Sequence, residues 1–207
     1  MPKQTEKMRD FNIVIVPPAS IKRRAIALSK SLKSKDSLFN LDNVNHFPHL
    51  TIYMAVFPIT ELPKIKAMLH KTVKKIRAFN IVSTKYRVAK SGYVDIAYTK
   101  SAAINKLQMV VIKNLNGFRG GHIRKSDQQK LASLTKSEQD NIKKYGYRAV
   151  GKNYVPHLTL ARFKKLDKKI IKGMKWRDFS FKVNAIGLYY LGNHGTCRQE
   201  IAKFNLA

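Results

Sequence analysis

The sequence predicts an α+β fold in which most strands pair antiparallel. Apolar runs typical of strands stand next to each other as well as between segments with helical spacing. Strands that follow one another directly favour antiparallel pairing over the strand–helix alternation of a parallel sheet. The tetrapeptide Pro-His-Leu-Thr occurs at 48–51 and again at 156–159, which indicates two related halves. The 207 residues suffice for one domain, or for two small lobes that share a core.

Predicted strands and helices alternate through the first half of the chain. Strands are predicted at 11–16, 49–57, 79–88 and 93–98. Helices are predicted to begin near Ser20, Thr60 and Ser101, because each precedes apolar residues spaced three or four apart. Pro17 and Pro18 separate the first strand from the first helix.

The 117–150 segment breaks this rhythm. It is polar and basic, and capping-box patterns that begin at Ser126 and Thr135 predict short helices within it. Strands are predicted again at 155–163, 179–185, 186–191 and 201–204. No low-complexity tract or linker divides the chain.

The charge of the chain is strongly positive. Lys and Arg number 41 against 12 Asp and Glu, which leaves a formal charge of +29. A chain of this charge repels itself and favours a polyanionic partner, of which nucleic acid is the first candidate. A general basic bias, in which surface lysines serve solubility only, is the alternative.

Cysteine count and hydropathy predict a soluble, cytoplasmic protein that does not bind membranes. Cys197 is the only cysteine, so no intramolecular disulfide and no paired-cysteine metal site can form. The apolar runs fall far short of the roughly 20 residues that a membrane span needs. The first ten residues are polar and lack the apolar stretch of a signal peptide.

The repeated tetrapeptide carries the residues that suggest chemistry. Because side chains alternate along a strand, we expect His49, Thr51 and Tyr53 on one face, and His157 with Thr159 on one face of the later strand. The proline before each histidine belongs at a strand start or edge, which places both histidines near a cleft. The competing interpretation is a half-buried strand whose polar groups are simply satisfied.

Two histidines suit phosphodiester chemistry. A neutral imidazole takes a proton from the attacking water or hydroxyl, and an imidazolium protonates the leaving oxygen. Thr51 and Thr159 can each donate a hydroxyl to a phosphate oxygen, so neither a metal nor another cofactor is required. The symmetry of the motifs leaves both assignments of acid and base open, and we begin with His157 as base and His49 as acid.

The two motifs, His49-Leu50-Thr51-Ile52 and His157-Leu158-Thr159-Leu160, resemble those of the 2H phosphoesterases, a family that includes 2′-5′ RNA ligase-like proteins and cyclic nucleotide phosphodiesterases. The resemblance spans most of the chain. It implies two pseudo-symmetric lobes with mostly antiparallel sheets facing across a central cleft and helices outside. It further implies one domain over 1–207, with 117–150 as an insertion.

Four further residues are predicted to bind substrate. Tyr53 and Tyr154 flank the motifs and can stack on a base, and Arg148 and Arg162 can hold an RNA backbone. Many relatives carry a basic residue at the position of Arg162, whereas the first motif has Met54 there. Strict alternation puts the Arg162 side chain on the face of the strand opposite to that of His157. Arg162 therefore reaches phosphate only if the strand has ended or bulged.

The remaining histidines do not predict a metal site. His46 lies three residues before His49 without a third ligand at useful spacing, and His122 and His194 are predicted to lie in loops. The sequence therefore predicts a monomeric, metal-independent phosphodiesterase that acts on RNA or nucleotides. A non-catalytic RNA-binding module and a 2′-5′ RNA ligase remain the alternatives.

Overall fold

A computed structural model describes residues 6–89, 91–165 and 173–207. The strands within these ranges are β1 (Met8–Ile15), β2 (Ser37–Asn40), β3 (Leu50–Pro58), β4 (Phe79–Ile81), β5 (Ser83–Val88), β6 (Tyr93–Tyr98), β7 (His157–Phe163), β8 (Phe181–Val183), β9 (Ala185–Leu191) and β10 (Cys197–Asn205). The α-helices are α1 (Ala19–Ser31), α2 (Leu62–Val73), α3 (Ala102–Leu115), α4 (Lys125–Gln128) and α5 (Lys136–Tyr145).

The main sheet has eight strands in the order β10-β9-β1-β3-β7-β6-β5, with β2 paired to β7 beside this path. Strands β4 and β8 form a separate two-stranded sheet. Every pairing between described strands is antiparallel. The predicted α+β class with antiparallel sheets is therefore confirmed.

The main sheet consists of two halves that meet at the repeated motifs. One half is β10-β9-β1-β3 and the other is β7-β6-β5, and the described register between β3 and β7 is the single pair Leu50–Leu158. Each leucine directly follows a motif histidine. In an antiparallel register centred on this pair, His49 lies on the side of Thr159 and His157 on the side of Thr51. The four motif residues are thereby brought to one place.

The hydrophobic core lies on one face of this sheet. Helices α1, α2 and α3 bury Ile21, Ile65 and Ile104 in the same apolar cluster as Phe11 of β1 and Leu158 of β7. Since side chains alternate along a strand, the residues between these core positions face the opposite side. That opposite side is here called the cleft face.

Several boundaries differ from the sequence prediction, and two of these differences change an assignment. Helix α1 begins at Ala19 after Pro18, so the assignment of Ser20 as its N-cap was wrong. A proline fits this boundary because it sets an extended backbone and lacks the N–H that a helix start leaves unpaired. The strand predicted at 79–88 is two strands, because β4 leaves the main sheet to pair with β8.

The 117–150 segment contains short helices, as predicted, but only one of its two capping patterns forms. The Thr135 hydroxyl accepts from the Glu138 N–H at the start of α5, and the Glu138 carboxylate accepts from the Thr135 N–H. Ser126 instead lies inside α4, whose N-cap is Arg124. Strand β2 was not predicted, because its four residues are too few to show a period.

Candidate active site

Both motifs contain a β-bulge at the same position. Ile13 pairs with Tyr53 and Val14 with Thr51, which leaves Ile52 as the extra residue. In the other half, Val94 pairs with Ala161 and Asp95 with Thr159, which leaves Leu160 as the extra residue. An extra residue shifts the alternation of every residue that follows it. The side chains after each bulge therefore change face.

The bulges determine which residues reach the cleft. Arg162 lies on the cleft face with Thr159, in the bulged arrangement that its predicted role requires, and Met54 takes the equivalent place in the first half. Tyr53 turns into the core, where it is fully buried and donates its hydroxyl to the Tyr145 carbonyl at 2.7 Å. The expectation that Tyr53 shares the face of His49 and stacks on a base was wrong.

Tyr154 is also a core residue. It is 2% exposed, and its hydroxyl donates to the backbone carbonyl of Thr51 at 3.0 Å. A ring this deeply buried cannot stack on a base, so the predicted contact of Tyr154 with substrate was wrong. The residue instead ties the segment before the second motif to the backbone of the first motif.

The two motif histidines are oriented in the same way. Nδ1 of His49 lies 2.7 Å from the carbonyl of Phe47, and Nδ1 of His157 lies 2.7 Å from the carbonyl of Val155. A carbonyl can only accept, so Nδ1 carries the hydrogen in both rings. In each ring Nε2 is consequently the nitrogen that takes up and releases a proton.

His49 is held in its neutral form. Burial lowers its pKa to about 4, and the nearby charge of His157 acts in the same direction, against the Phe47 carbonyl, which raises it. The side-chain amide of Asn12 lies 3.5 Å from Nε2 and can donate to its lone pair. At neutral pH the His49 ring is therefore a proton acceptor.

The two threonines are held by residues on neighbouring strands. The buried Asn12 of β1 donates Nδ2 to the Thr51 hydroxyl at 3.2 Å, which leaves the hydroxyl hydrogen of Thr51 available to a ligand. Thr159 donates its own hydroxyl to the Asp95 carboxylate of β6 at 2.7 Å. Asp95 is 2% exposed and pairs with Arg87 of β5 at 2.8 Å. The first threonine is thus the readier donor to a phosphate oxygen.

An aromatic stack covers the site. The ring of Phe39 in β2 is parallel to those of His46 and His194, at centroid distances of 5.3 and 6.2 Å. Arg162 contacts the His194 ring and lies 4.8 Å above the ring of Tyr93. His194, which was predicted only as a loop residue, and His46, which was considered only as a metal ligand, therefore both cover the cleft.

The space that this aromatic stack encloses is small. A cavity of about 20 Å³ lies between the stack, His49 and Thr159. One water needs roughly 10–15 Å³ by this measure, so the cavity is water-sized.

Arginines surround the cleft at three places. Arg148 is exposed. Burial raises the pKa of Tyr93, and the nearby positive charges of Arg162 and Arg148 act in the opposite direction. Arg124, which was not predicted, extends Nη1 to 3.4 Å from the Met54 sulfur while its guanidinium pairs with Asp127. The Arg124 guanidinium thus lies beside Met54, which occupies in the first motif the position that Arg162 occupies in the second.

The sequence contained a sign of two of the residues that the prediction missed. Asn12 interrupts the apolar run from Phe11 to Val16, and Asp95 is the only acidic residue of β6. A single polar residue in the middle of an apolar strand needs a buried partner. No comparable pattern marked Arg124, Phe39 or His194, because chain folding alone brings them to the cleft.

Neither a metal cluster nor a membrane span is found in the part of the chain that the structure describes. Within it, no three His, Cys, Asp or Glu side chains are grouped so that they could hold a metal ion. Its helices are all too short or too polar to cross a bilayer.

Comparison with known sequences identifies the family. The sequence model of the 2′-5′ RNA ligase superfamily matches residues 17–195, which include both motifs. The chain belongs to this superfamily. The 2H resemblance expected from the motifs is thereby confirmed. A search of the curated proteins found no match to this superfamily member.

Solved structures similar to this superfamily member share its fold. E. coli LigT complexed with 3′-AMP has a TM-score of 0.63 at 13% identity, over 97% of this chain and 99% of that chain. TT0787 of Thermus thermophilus has a TM-score of 0.62 at 14% identity, over 95% and 97% of the two chains. The MHV ns2 PDE domain has a TM-score of 0.51 at 14% identity, over 94% and 99%.

Proposed function

We propose that the chain is a metal-independent phosphodiesterase that opens 2′,3′-cyclic phosphates to 2′-phosphates, or cleaves 2′-5′ linkages, at RNA ends or in small nucleotides. The observation that carries this proposal is the matched orientation of His49 and His157. Both rings hold Nδ1–H on a backbone carbonyl and leave Nε2 for proton transfer, on either side of the Leu50–Leu158 pair. General acid–base catalysis of phosphodiester cleavage needs two such groups flanking one phosphate.

The surroundings of His49 support its assignment as the base. A pKa of about 4 makes the ring neutral at physiological pH, so it can accept a proton from the attacking water but rarely has one to give. His157 is then the acid that protonates the leaving ribose oxygen. This assignment is the reverse of the one favoured from the sequence, in which His157 was the base and His49 the acid.

The proposed roles of the remaining cleft residues follow from their hydrogen bonds. Thr51 donates its hydroxyl to a non-bridging phosphate oxygen, since Asn12 occupies its lone pair rather than its hydrogen. Arg162 supplies positive charge from the second half of the sheet and Arg124 supplies it from the first. Charge that builds on the phosphate in the transition state is stabilised from both sides.

The decisive experiment is incubation with 2′,3′-cyclic AMP and with RNA that ends in a 2′,3′-cyclic phosphate. Chromatography should show conversion to the 2′-phosphate, which requires cleavage of the bond from phosphorus to the 3′ oxygen. The 3′-phosphate isomer would indicate cleavage of the bond to the 2′ oxygen instead. A non-catalytic RNA-binding module would bind the RNA but leave both substrates intact. Joining of 5′-hydroxyl RNA to a 2′,3′-cyclic end under the same conditions would instead support the reverse reaction, 2′-5′ ligation.

A further inference from the structure

A large groove continues the cleft face of the first half of the sheet. It has a volume of about 1,050 Å³ and is lined by Met8 and Asp10 of β1, Val56 of β3 and Leu191 of β9, with His122–Lys125 along one side. Asp10 pairs with Val56, and Asn12 pairs with Met54 two residues further along the same face. One such step along a strand is roughly 7 Å, so the groove begins within one step of Asn12.

The groove is basic. Arg9, Lys125 and Arg198 are exposed along it, and Arg124 lies partly neutralised by Asp127 between the groove and Met54. The one carboxylate in the lining, Asp10, is partly buried, which raises its pKa. A carboxylate among cations can accept from a ribose hydroxyl or the amino group of a base. Positive charge together with the polar acceptors Asp10, Asn45 and Gln199 fits a polynucleotide better than an acidic peptide.

The volume of the groove lies at the upper limit of the range that a single small ligand occupies. Pockets for a single small molecule span about 300–1,000 Å³, and the reacting phosphate itself belongs beside His49 and His157. The 117–150 segment builds one side of the groove, because His122–Lys125 belong to it. The part of the chain that the resemblance implied to be an insertion therefore contributes directly to this surface.

We propose that this groove binds the single-stranded RNA chain attached to the reacting phosphodiester, so that the preferred substrate is an RNA end rather than a free cyclic mononucleotide. The inference rests on the proposed function for the reaction, but it concerns where the rest of the strand lies. Backbone phosphates contact the arginines and lysine of the groove, and the 117–150 segment sets the selectivity for chain length.

A charge-removal variant tests the groove directly. Arg9→Ala, Lys125→Ala and Arg198→Ala are combined in one protein; the structure shows no side-chain hydrogen bond for any of these three described residues. The matched control combines Lys66→Ala, Lys71→Ala and Lys75→Ala, which removes three charges at and just beyond α2, whose apolar side packs against the opposite face of the sheet. Both variants lower the net charge by the same amount.

Binding of a fluorescein-labelled octanucleotide RNA with a 3′-hydroxyl end is measured by anisotropy over a range of salt. The groove variant should bind about tenfold or more weakly, and its slope of log affinity against log salt should fall by roughly 2, since each lost single-strand phosphate contact removes about 0.7. The control variant should bind within about twofold of the wild type. The proposal is overturned if the groove variant binds normally or the control loses as much. Stronger competition by a polyglutamate peptide than by unlabelled RNA would also overturn it.

Turnover separates this proposal from the function on which it rests. The groove variant should keep its kcat/KM for 2′,3′-cyclic AMP and lose it for an RNA octamer with a 2′,3′-cyclic end. Equal losses on both substrates would place these residues at the reacting phosphate and overturn the groove as a strand site. If the wild type turns over neither substrate, the proposed function fails, and the anisotropy result still decides whether the groove binds RNA.

Discussion

His49 and His157 are the same residue type in two different surroundings. Both donate Nδ1–H to the carbonyl two residues earlier, but His49 lies against Asn12 and its pKa is lowered to about 4 by burial. The order of the two motifs in the chain gives no sign of this difference. It arises because the first histidine is covered by the turn at Gly195, which approaches from the end of the chain.

The lowered pKa of His49 predicts the pH dependence of the reaction. A base acts in its neutral form, which persists above its pKa, so kcat/KM should hold as pH falls from 7 to 5 and decline only near pH 4. Asn12→Asp places a carboxylate beside the ring, which favours the protonated form and should move the decline to higher pH. Asn12→Ala is the control, because it removes the amide without adding charge. An unchanged profile in Asn12→Asp would argue against His49 as the base.

Alanine variants of the histidines test the division of acid and base. His49→Ala and His157→Ala should each lower kcat by at least ~10²-fold, and the double variant should be little worse because the two residues act together. Bis(p-nitrophenyl) phosphate has a leaving group that needs no protonation. It should therefore rescue His157→Ala and leave His49→Ala slow. Rescue of His49→Ala alone would reverse the assignment, and near-full activity of both variants on every diester would exclude the mechanism.

The sequence predicted the four motif residues but not which of their neighbours reach the cleft. The repeated tetrapeptide and simple alternation were enough for His49, Thr51, His157 and Thr159. Alternation failed at Tyr53 because the bulge at Ile52 turns the following side chains over, and a bulge depends on the partner strand. The same event in β7 is what brings Arg162 to the cleft face.

At the scale of the elements, the 117–150 segment shows how one sequence pattern gives two structures. Ser126 and Thr135 each precede a Gln or Glu by three residues, yet only Thr135 caps a helix. Arg124 forms the ion pair with Asp127 one turn later, so the backbone at Ser126 is already helical. The sequence predicted short helices here correctly, but tertiary contacts decided where they begin.

This difference predicts two different effects on stability. Thr135→Ala removes the hydroxyl that accepts from the Glu138 N–H and should lower the free energy of unfolding by about 1 kcal/mol. Ser126→Ala, the matched control, removes an exposed hydroxyl from inside a helix and should change stability by less than about 0.5 kcal/mol. Urea denaturation followed by circular dichroism measures both. Equal losses would mean that the two hydroxyls have equivalent roles.

At the scale of the whole molecule, the α+β class and the antiparallel pairing were predictable because several strands that follow each other directly, such as β5 with β6 and β9 with β10, pair with each other. The position of β2 was not predictable, since its pairing with β7 spans over a hundred residues. The first and last of the described strands, β1 and β10, also lie in the same half-sheet, because β9 pairs with both of them. Such long-range pairings are set by the packed core rather than by local preference.

The whole-molecule chemistry predicts that activity is independent of added metal. Acid, base and phosphate donors are all side chains in the proposed mechanism, so turnover of 2′,3′-cyclic AMP should survive excess EDTA. Dialysis against EDTA followed by assay with and without Mg²⁺ or Zn²⁺ provides the measurement. Complete loss that either ion restores would require a metal in the mechanism and contradict the two-histidine proposal.

The described backbone register between the two half-sheets is the single pair Leu50–Leu158. The proposed base lies on one side of this pair and the proposed acid on the other. A small change in the twist of one half-sheet therefore alters the distance over which a proton must pass, even when neither histidine moves within its own strand. Substitutions far from the cleft, at the outer strands β5 or β10, would on this account retune the reaction through the angle between the halves.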